Sequence, residues 1–290
     1  MVLYINKPQV YKKKIIITGS NGFLGKNVAN FLENKYIVQK LSFKNFTKIK
    51  KDKKKKYLDN FIKKHKPFAV IHLATYFSKK RDNKTLIKCM NINYFLSKML
   101  YQVAVANSVN KFIYTGSNYE SIRDNKKIYP YILSKKRYSV FLKKSNSKKT
   151  NLICLYLSNV YGENDKRKKI LNYLFKIRKT KKDIIFKVFK SSRINFIHVK
   201  DLMQIIKICI SKKFLKKKIF FNIKFKKNFS LSKIILNFSK VNKHISYKTL
   251  KKSDKNLEAD ESDIIYKYKN FPYYKPTIEI NNWIKKKLSN

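Results

Sequence analysis

The chain holds only 5 glycines in 290 residues, and three of them lie together in Thr18-Gly19-Ser20-Asn21-Gly22-Phe23-Leu24-Gly25. Ordinary usage is roughly 7%, so glycine has been kept here where another residue would not serve. Glycine is needed where φ must be positive or where backbones approach too closely for a Cβ. The flanks identify the kind of turn. Lys14-Ile15-Ile16-Ile17 before it is an apolar run of strand length, and Leu24, Val28, Phe31 and Leu32 after it recur at helical spacing. A strand, a glycine turn and a helix start together aim free N–H groups and the positive end of a helix dipole at one point, where a phosphate is stabilised. The Gly-x-x-Gly-x-x-Gly spacing is one residue longer than the Gly-x-Gly-x-x-Gly fingerprint. It predicts a pyrophosphate site for NAD or NADP built from Thr18, Gly19, Asn21, Gly22, Phe23, Leu24 and Gly25.

Further along, apolar runs at Lys14 to Thr18, Tyr36 to Leu41, Phe68 to Ala74, Lys111 to Thr115 and Asn151 to Leu157 read as strands. Helical patterns at Leu24 to Asn34, Thr85 to Asn107 and Tyr131 to Lys144 alternate with them. Strands apolar on both faces, separated by helices, predict an α/β fold with a doubly wound parallel sheet. Past residue 160 the order is less regular: a basic helix near Lys166 to Lys179, short strands near Ile184 to Phe189 and Lys218 to Lys224, and a helix near Ile278 to Lys287. We therefore expect a nucleotide-binding domain over 1–160 and a smaller, mainly substrate-binding part over 161–290, with segments near 192–225 returning to the first.

The formal charge of +54 would attract nucleic acid, anionic membrane or anionic metabolites. However, the lysines run along the whole chain, beside abundant Ile, Asn, Phe and Tyr, as an A/T-rich coding sequence would produce without selection for a partner. The densest run, Lys50 to Lys56, reads as a solvated loop. No run approaches the ~18 apolar residues of a membrane span, and Lys7 and Pro8 interrupt any signal-peptide core, so a cytoplasmic protein is expected. Cys89, Cys154 and Cys209 are widely spaced and read as core thiols, with no metal site.

Several segments resemble, in order, the extended short-chain dehydrogenase/reductase family of nucleotide-sugar epimerases, dehydratases and reductases. They are the glycine turn, His72-Leu73-Ala74-Thr75, Thr115-Gly116-Ser117, Pro130-Tyr131-Ile132-Leu133-Ser134-Lys135, Asn159-Val160-Tyr161-Gly162 and Arg193 to Asp201. Tyr-x-x-x-Lys alone says little, because Tyr36, Tyr76, Tyr94, Tyr131 and Tyr247 all satisfy it. Only Tyr131 follows a helix-starting proline and lies between a strand ending in Thr115-Gly116-Ser117 and another apolar strand.

The resemblance implies a Rossmann-like fold, a nucleotide-sugar substrate and a homodimer. It makes Ser117, Tyr131 and Lys135 the catalytic set, with Tyr131 and Lys135 on one helix face. Lys135 would lower the pKa of Tyr131 and hold the nicotinamide ribose, while Ser117 orients the reacting oxygen. Leu73, Ala74, Thr75 and Asn93 would complete the cofactor site, Asn91 being the rival of Asn93; Asn159 and Arg193 would join Ser117 on the substrate, Arg193 at its pyrophosphate. His72 and His198 read as positioning or core residues, and Asp201 as a helix cap.

An acid that would take the NAD ribose hydroxyls is missing after the second strand; Lys40, Ser42 and Lys44 stand there, which favours NADP. The Asp-Glu pair of the family's dehydratases is replaced by Asn118-Tyr119, with Glu120 next, which disfavours dehydration. A 4-epimerase or 4-keto-sugar reductase remains, similar in its motifs to the CDP-abequose synthase type of reductase and so to surface-polysaccharide supply. The alternative is a non-catalytic relative whose basic surface binds RNA; the intact Ser117, Tyr131 and Lys135 set weighs against it.

Overall fold

Ile15 and Ile17 face one side of a parallel sheet and Ile16 the other, all fully buried, and this alternation organises the molecule. In the computed structural model, residues 12–43, 46, 49, 50, 52–250, 264, 265 and 268–289 are described. The first half runs β1 (Lys14–Thr18), α1 (Phe23–Glu33), β2 (Ile37–Leu41), α2 (Lys53–His65), β3 (Ala69–His72) and α3 (Asn83–Cys89). Then follow π-helical turns (Met90–Leu96), α4 (Ser97–Ala106), β4 (Lys111–Ser117), α5 (Pro130–Lys144) and β5 (Asn151–Leu157). The second half comprises β6 (Asn159–Tyr161), α6 (Ile170–Ile177), β7 (Ile184–Phe189), β8 (Arg193–Ile194), β9 (Phe196–His198), α7 (Val199–Ser211) and β10 (Lys218–Ile223). It ends with β11 (Phe229–Ser230), α8 (Leu231–Ser239), β12 (Ile245–Leu250) and α9 (Ile280–Ser289).

The main sheet has the order β10-β5-β4-β3-β1-β2, all parallel, the α/β doubly wound, Rossmann-like architecture read from the sequence. One core joins Ile15, Ile17, Ile71 and Ile113 to α1 and α7 through Val28, Leu32, Leu202 and Ile206. On the opposite face Ile16, Val70, Phe112 and Cys154 meet α2, α4 and α5 through Leu58, Leu100 and Tyr138. Each fully buried Ile or Leu contributes about 1.5–3 kcal/mol of transfer free energy. Because β2 and β3 lie on opposite sides of β1, the order reverses at the end of β1, where open α/β sheets bind ligands.

Beyond residue 160 the chain supplies β10 to this sheet and also builds a third core, with Leu174, Phe229, Ile234, Phe238, Ile245 and Ile284, around the parallel pair β7–β12. The three cysteines are buried and free.

Three local expectations are corrected. Lys53–Lys56 are solvated but open α2 instead of forming a loop, because Leu58 and Ile62 bury the other face of that helix. The basic helix near 166–179 shortens to α6, its first lysines lying in the approach to it. Asp201 does not cap α7; His198 does, its Nδ1 accepting from Lys200 N at 3.2 Å. Buried Asp201 instead accepts from Tyr274 Oη (2.7 Å), Thr277 N and Ile278 N (both 3.1 Å), tethering the segment that leads into α9.

Some lysines have structural work. Buried Lys111 donates from Nζ to the carbonyls of Cys209 (3.0 Å), Ile210 and Lys212 (both 2.6 Å), closing the C-terminal end of α7. These carbonyls have no helical partner, and a cation also complements the helix dipole there.

Candidate active site

The ends of β1, β3, β4 and β5 open into a cavity of about 1470 Å³. Its floor is the glycine turn. Gly19 has φ +71°, and a Cβ on it would lie 2.7 Å from Ala74 Cα; a Cβ on Gly25 would overlap the carbonyl of Gly19. Gly22 N–H donates to Gly19 O at 3.0 Å, and α1 begins at Phe23 without a side-chain cap. Its first amides therefore face the cavity with an attractive dipole, so these residues fit the pyrophosphate of a dinucleotide. Gly19, Asn21, Gly22, Phe23, Leu24, Gly25, Leu73, Ala74 and Thr75 all line the cavity.

Thr18 and Asn93, predicted as cofactor contacts, are buried behind that lining. Hydrogen-bond polarity shows what Thr18 does. Ser97 Oγ donates its one proton to Ile92 O (2.9 Å), a carbonyl of the π-helical turns, so it accepts from His72 Nε2–H (2.8 Å). His72 Nδ1 then accepts from Thr18 Oγ (2.7 Å), which accepts from Ala74 N–H (3.2 Å). The imidazole must be neutral for this chain to close, and burial pushes its pKa down to about 3. His72 is thus a positioning residue, as read from the sequence. Asn93 Oδ1 accepts from Tyr76 N (2.7 Å) and Thr75 Oγ (3.1 Å), while its Nδ2 donates to Ser134 Oγ (3.0 Å). It fixes the loop after β3 to α5; its rival Asn91 is exposed.

Ser117, Tyr131 and Lys135 line the same cavity as the turn, and the Ser117 hydroxyl is within hydrogen-bond reach of the Tyr131 phenol. Burial pushes the Tyr131 phenol up, and the negative charge of Glu120 adds to this; the Ser117 hydroxyl and the Arg167 cation pull it back. The net direction for Tyr131 is thus upward, set by burial and not by the lowering expected from Lys135. Lys135 Nζ donates to Thr115 O at 2.8 Å and lies 4.4 Å from the Tyr114 ring centre, and burial lowers its own pKa to about 8.

On the substrate side, Asn159 lines the cavity and donates to Asn195 O at 3.2 Å. Arg193 does not line it: its exposed guanidinium donates to Lys190 O (3.0 Å) and Ser192 O (3.3 Å). The cations at the lip are Lys79, Arg81, Lys88, Arg167, Lys168 and Lys169. Arg167 grips Asp165 through Nε and Nη2 (2.7 Å each), donates to Val160 O, and lies 4.5 Å from the Phe23 ring centre. Lys169 lies 4.4 Å from the Phe77 ring centre, its pKa lowered to about 8 by burial and by Arg167, and Phe77 meets Tyr131 edge-on at 4.9 Å. None of these lip residues stood out in the sequence, because Lys166 to Lys169 is one basic run among many; the Asp165-x-Arg167 pair was the available signal.

The reading of a 2′-phosphate site also changes. Lys40 pairs with Glu33 at 2.8 Å and is absent from the lining, Ser42 and Phe43 line the cavity, and Lys44 lies outside the described residues, as do Lys7 and Pro8. Among the described residues no helix is long and apolar enough to cross a membrane, and no cluster of potential ligands suits a metal ion.

A parallel sheet whose switch point carries a glycine turn, faced by a Tyr–Lys helix, defines a dinucleotide-binding protein of the doubly wound class. The family model described as the NAD dependent epimerase/dehydratase family matches residues 15–223, and the chain belongs to that family. It is 26% identical over 250 residues to a dTDP-D-glucose 4,6-dehydratase of Dictyostelium discoideum (71% of this chain, 57% of the relative). It is 29% identical over 139 residues to a CDP-abequose synthase of Salmonella muenchen (47% of this chain, 46% of the relative). The matches thus span about half the length of these curated relatives. Among solved structures, the Bordetella bronchiseptica enzyme WbmG in complex with NAD shares the fold with a TM-score of 0.74 at 16% identity, over 97% of this chain and 94% of that one.

Proposed function

We propose that the protein is an NAD(P)-dependent oxidoreductase or epimerase acting at C4 of a nucleotide-diphosphate sugar, with a 4-keto-sugar reductase favoured. The observation that supports this is that Ser117, Tyr131 and Lys135 line the same cavity as the glycine turn. A bound nicotinamide supplies the hydride donor or acceptor. Tyr131 gives a proton to, or takes one from, the sugar oxygen, and Ser117 orients that oxygen by a hydrogen bond. Lys135, held by Thr115 O, places a cation under the reacting groups. The lip cations Arg167 and Lys169 suit the substrate diphosphate better than Arg193, which points away.

Dehydration is disfavoured, because Asn118 is buried against Ser158 and the Glu120 carboxylate faces the main chain of Ser117. Names of relatives, a CDP-abequose synthase among them, support a nucleotide sugar destined for a surface polysaccharide. A cytoplasmic homodimer is the working state, and exposed Phe95 and Val140 offer apolar surface for pairing.

The test incubates purified protein with NADH or NADPH and a panel of nucleotide 4-keto and 4-hydroxy sugars. Net cofactor oxidation marks a reductase; isomer formation without net oxidation marks an epimerase; neither, on any substrate, overturns the enzyme reading. Calorimetric affinities for the two dinucleotides decide the cofactor, and NADH binding more than about tenfold tighter retires the 2′-phosphate site, for which Ser42 is the remaining support.

A further inference from the structure

Two acidic residues, Asp201 and Glu120, are buried as whole residues among the described residues. Asp201 is consumed in tethering the segment before α9. Glu120 closes a capping box with Ser117, so its structural bond runs directly to a residue of the catalytic set. It lies in the turn Asn118–Ser121 that follows β4, 6% exposed. Its Oε1 accepts the backbone N–H of Ser117 at 2.7 Å, and its Oε2 accepts from Ser139 Oγ one turn beyond Lys135 on α5. The fit is tight, since a Cβ on Gly116 would come within 2.9 Å of Glu120 Oε1. The titratable groups around it are Tyr114 on β4, Tyr131, Lys135 and Lys143 on α5, and Cys154 and Tyr156 on β5.

We propose that Glu120 is a positioning residue of the catalytic site: its buried carboxylate fixes Ser117 through the main chain and, by its negative charge, keeps Tyr131 and Lys135 in the protonated form from which a keto-sugar oxygen is protonated. Both oxygens accept hydrogen bonds, which suits the ionised form. A negative charge in a water-poor site disfavours a neighbouring phenolate and favours a neighbouring ammonium. Both effects keep the acid form of the pair. Burial pushes the Glu120 carboxyl up, and Lys135, Ser139 and the Ser117 amide oppose that. In reduction, hydride reaches C4 of the keto sugar from the reduced nicotinamide, the carbonyl π pair moves to oxygen, and Tyr131 delivers the proton that completes the alcohol. The dinucleotide leaves oxidised, and Tyr131, left as the phenolate, regains its proton from solvent, so electrons and protons balance. This rests on the reading of Tyr131 as the acid–base group.

Glu120→Gln separates the two roles, since the amide oxygen can still accept from Ser117 N while the charge is gone. The expected result is unchanged dinucleotide affinity, with the alkaline limb of the kcat/KM profile for keto-sugar reduction moving down by about one pH unit or more. Glu120→Asp keeps the charge but retracts it from Ser117 N: the alkaline limb should stay in place while kcat falls about tenfold. An unmoved limb in Glu120→Gln, or a moved limb with full kcat in Glu120→Asp, overturns the proposal; the second variant decides alone if the first does not fold. The titration of Tyr131, followed by NMR with ring-labelled tyrosine and assigned by Tyr131→Phe, needs no substrate. It should shift down in Glu120→Gln, and an unshifted signal sinks the proposal even if no nucleotide sugar is ever turned over.

Discussion

At the floor of the cavity, Thr18, His72 and Ser97 are each at most 1% exposed and joined in one directional chain of hydrogen bonds, while Gly19 and Gly25 leave no room for a Cβ. At the lip, Arg167 and Lys169 are only part-buried and are held by one carboxylate, one carbonyl and two ring faces. The floor is specified by backbone geometry and buried polar satisfaction, both intolerant of change. The lip is specified by charge and aromatic contact, which other long cationic side chains can imitate. A family can therefore keep one cofactor seat and exchange substrates by rewriting the lip.

The contrast predicts three graded outcomes. The largest is at Gly25. In Gly25→Val the side chain cannot be placed without moving Gly19, so dinucleotide affinity, read by calorimetry, should fall at least about 100-fold. Near-normal affinity would break the claim of an intolerant floor. The second outcome concerns His72. The unfolded imidazole titrates near 6.5 and the folded one near 3, so between these values the unfolded chain takes up a proton that the folded chain refuses. Stability contributed by neutral His72 is complete above pH 6.5 and is lost as the pH falls towards 3, by a few kcal/mol in all. Urea midpoints measured across this range should fall with acid in the wild type and more shallowly in His72→Leu; equal slopes would remove His72 from the acid sensitivity. The smallest outcome is at the lip. Arg167→Ala should raise KM for the nucleotide sugar about tenfold with cofactor affinity unchanged, and Arg193→Ala should leave both alone. The reverse pattern would return Arg193 to the substrate.

The same contrast decides what is legible in the sequence. Three glycines at a spacing of three, in a chain with 5, can be seen because the background is empty. The strands could be seen because both faces are buried, so Ile15-Ile16-Ile17 and Ala69-Val70-Ile71 are unbroken apolar runs. Lysine carries no such contrast. Lys111 and Lys135 are buried and bonded while Lys50 is exposed, yet nothing in their spacing tells them apart. For that reason the run Lys50 to Lys56 reads as a loop although Lys53 to Lys56 open α2, and Arg167 and Lys169 do not stand out. The bonds of Thr18 to His72 and Ala74 and of Asn93 to Thr75, Tyr76 and Ser134 are not legible in the motifs, since a motif fixes a side chain's position in the chain and not the direction in which its hydroxyl or amide bonds. Glu120 was seen only as a displaced dehydratase acid, because its link to Ser117 N depends on the turn that places it.

Lys111 has a consequence for the history of the chain. If the lysine content reflects A/T-biased coding, a solvated surface lysine is interchangeable and could become Arg or Gln in a lineage whose bias relaxed. Lys111 closes three carbonyls at once from inside the protein, with a reach that Asn lacks. In such a lineage the lysine background should drain away around it, leaving it as a fossil of selection where its neighbours record only drift.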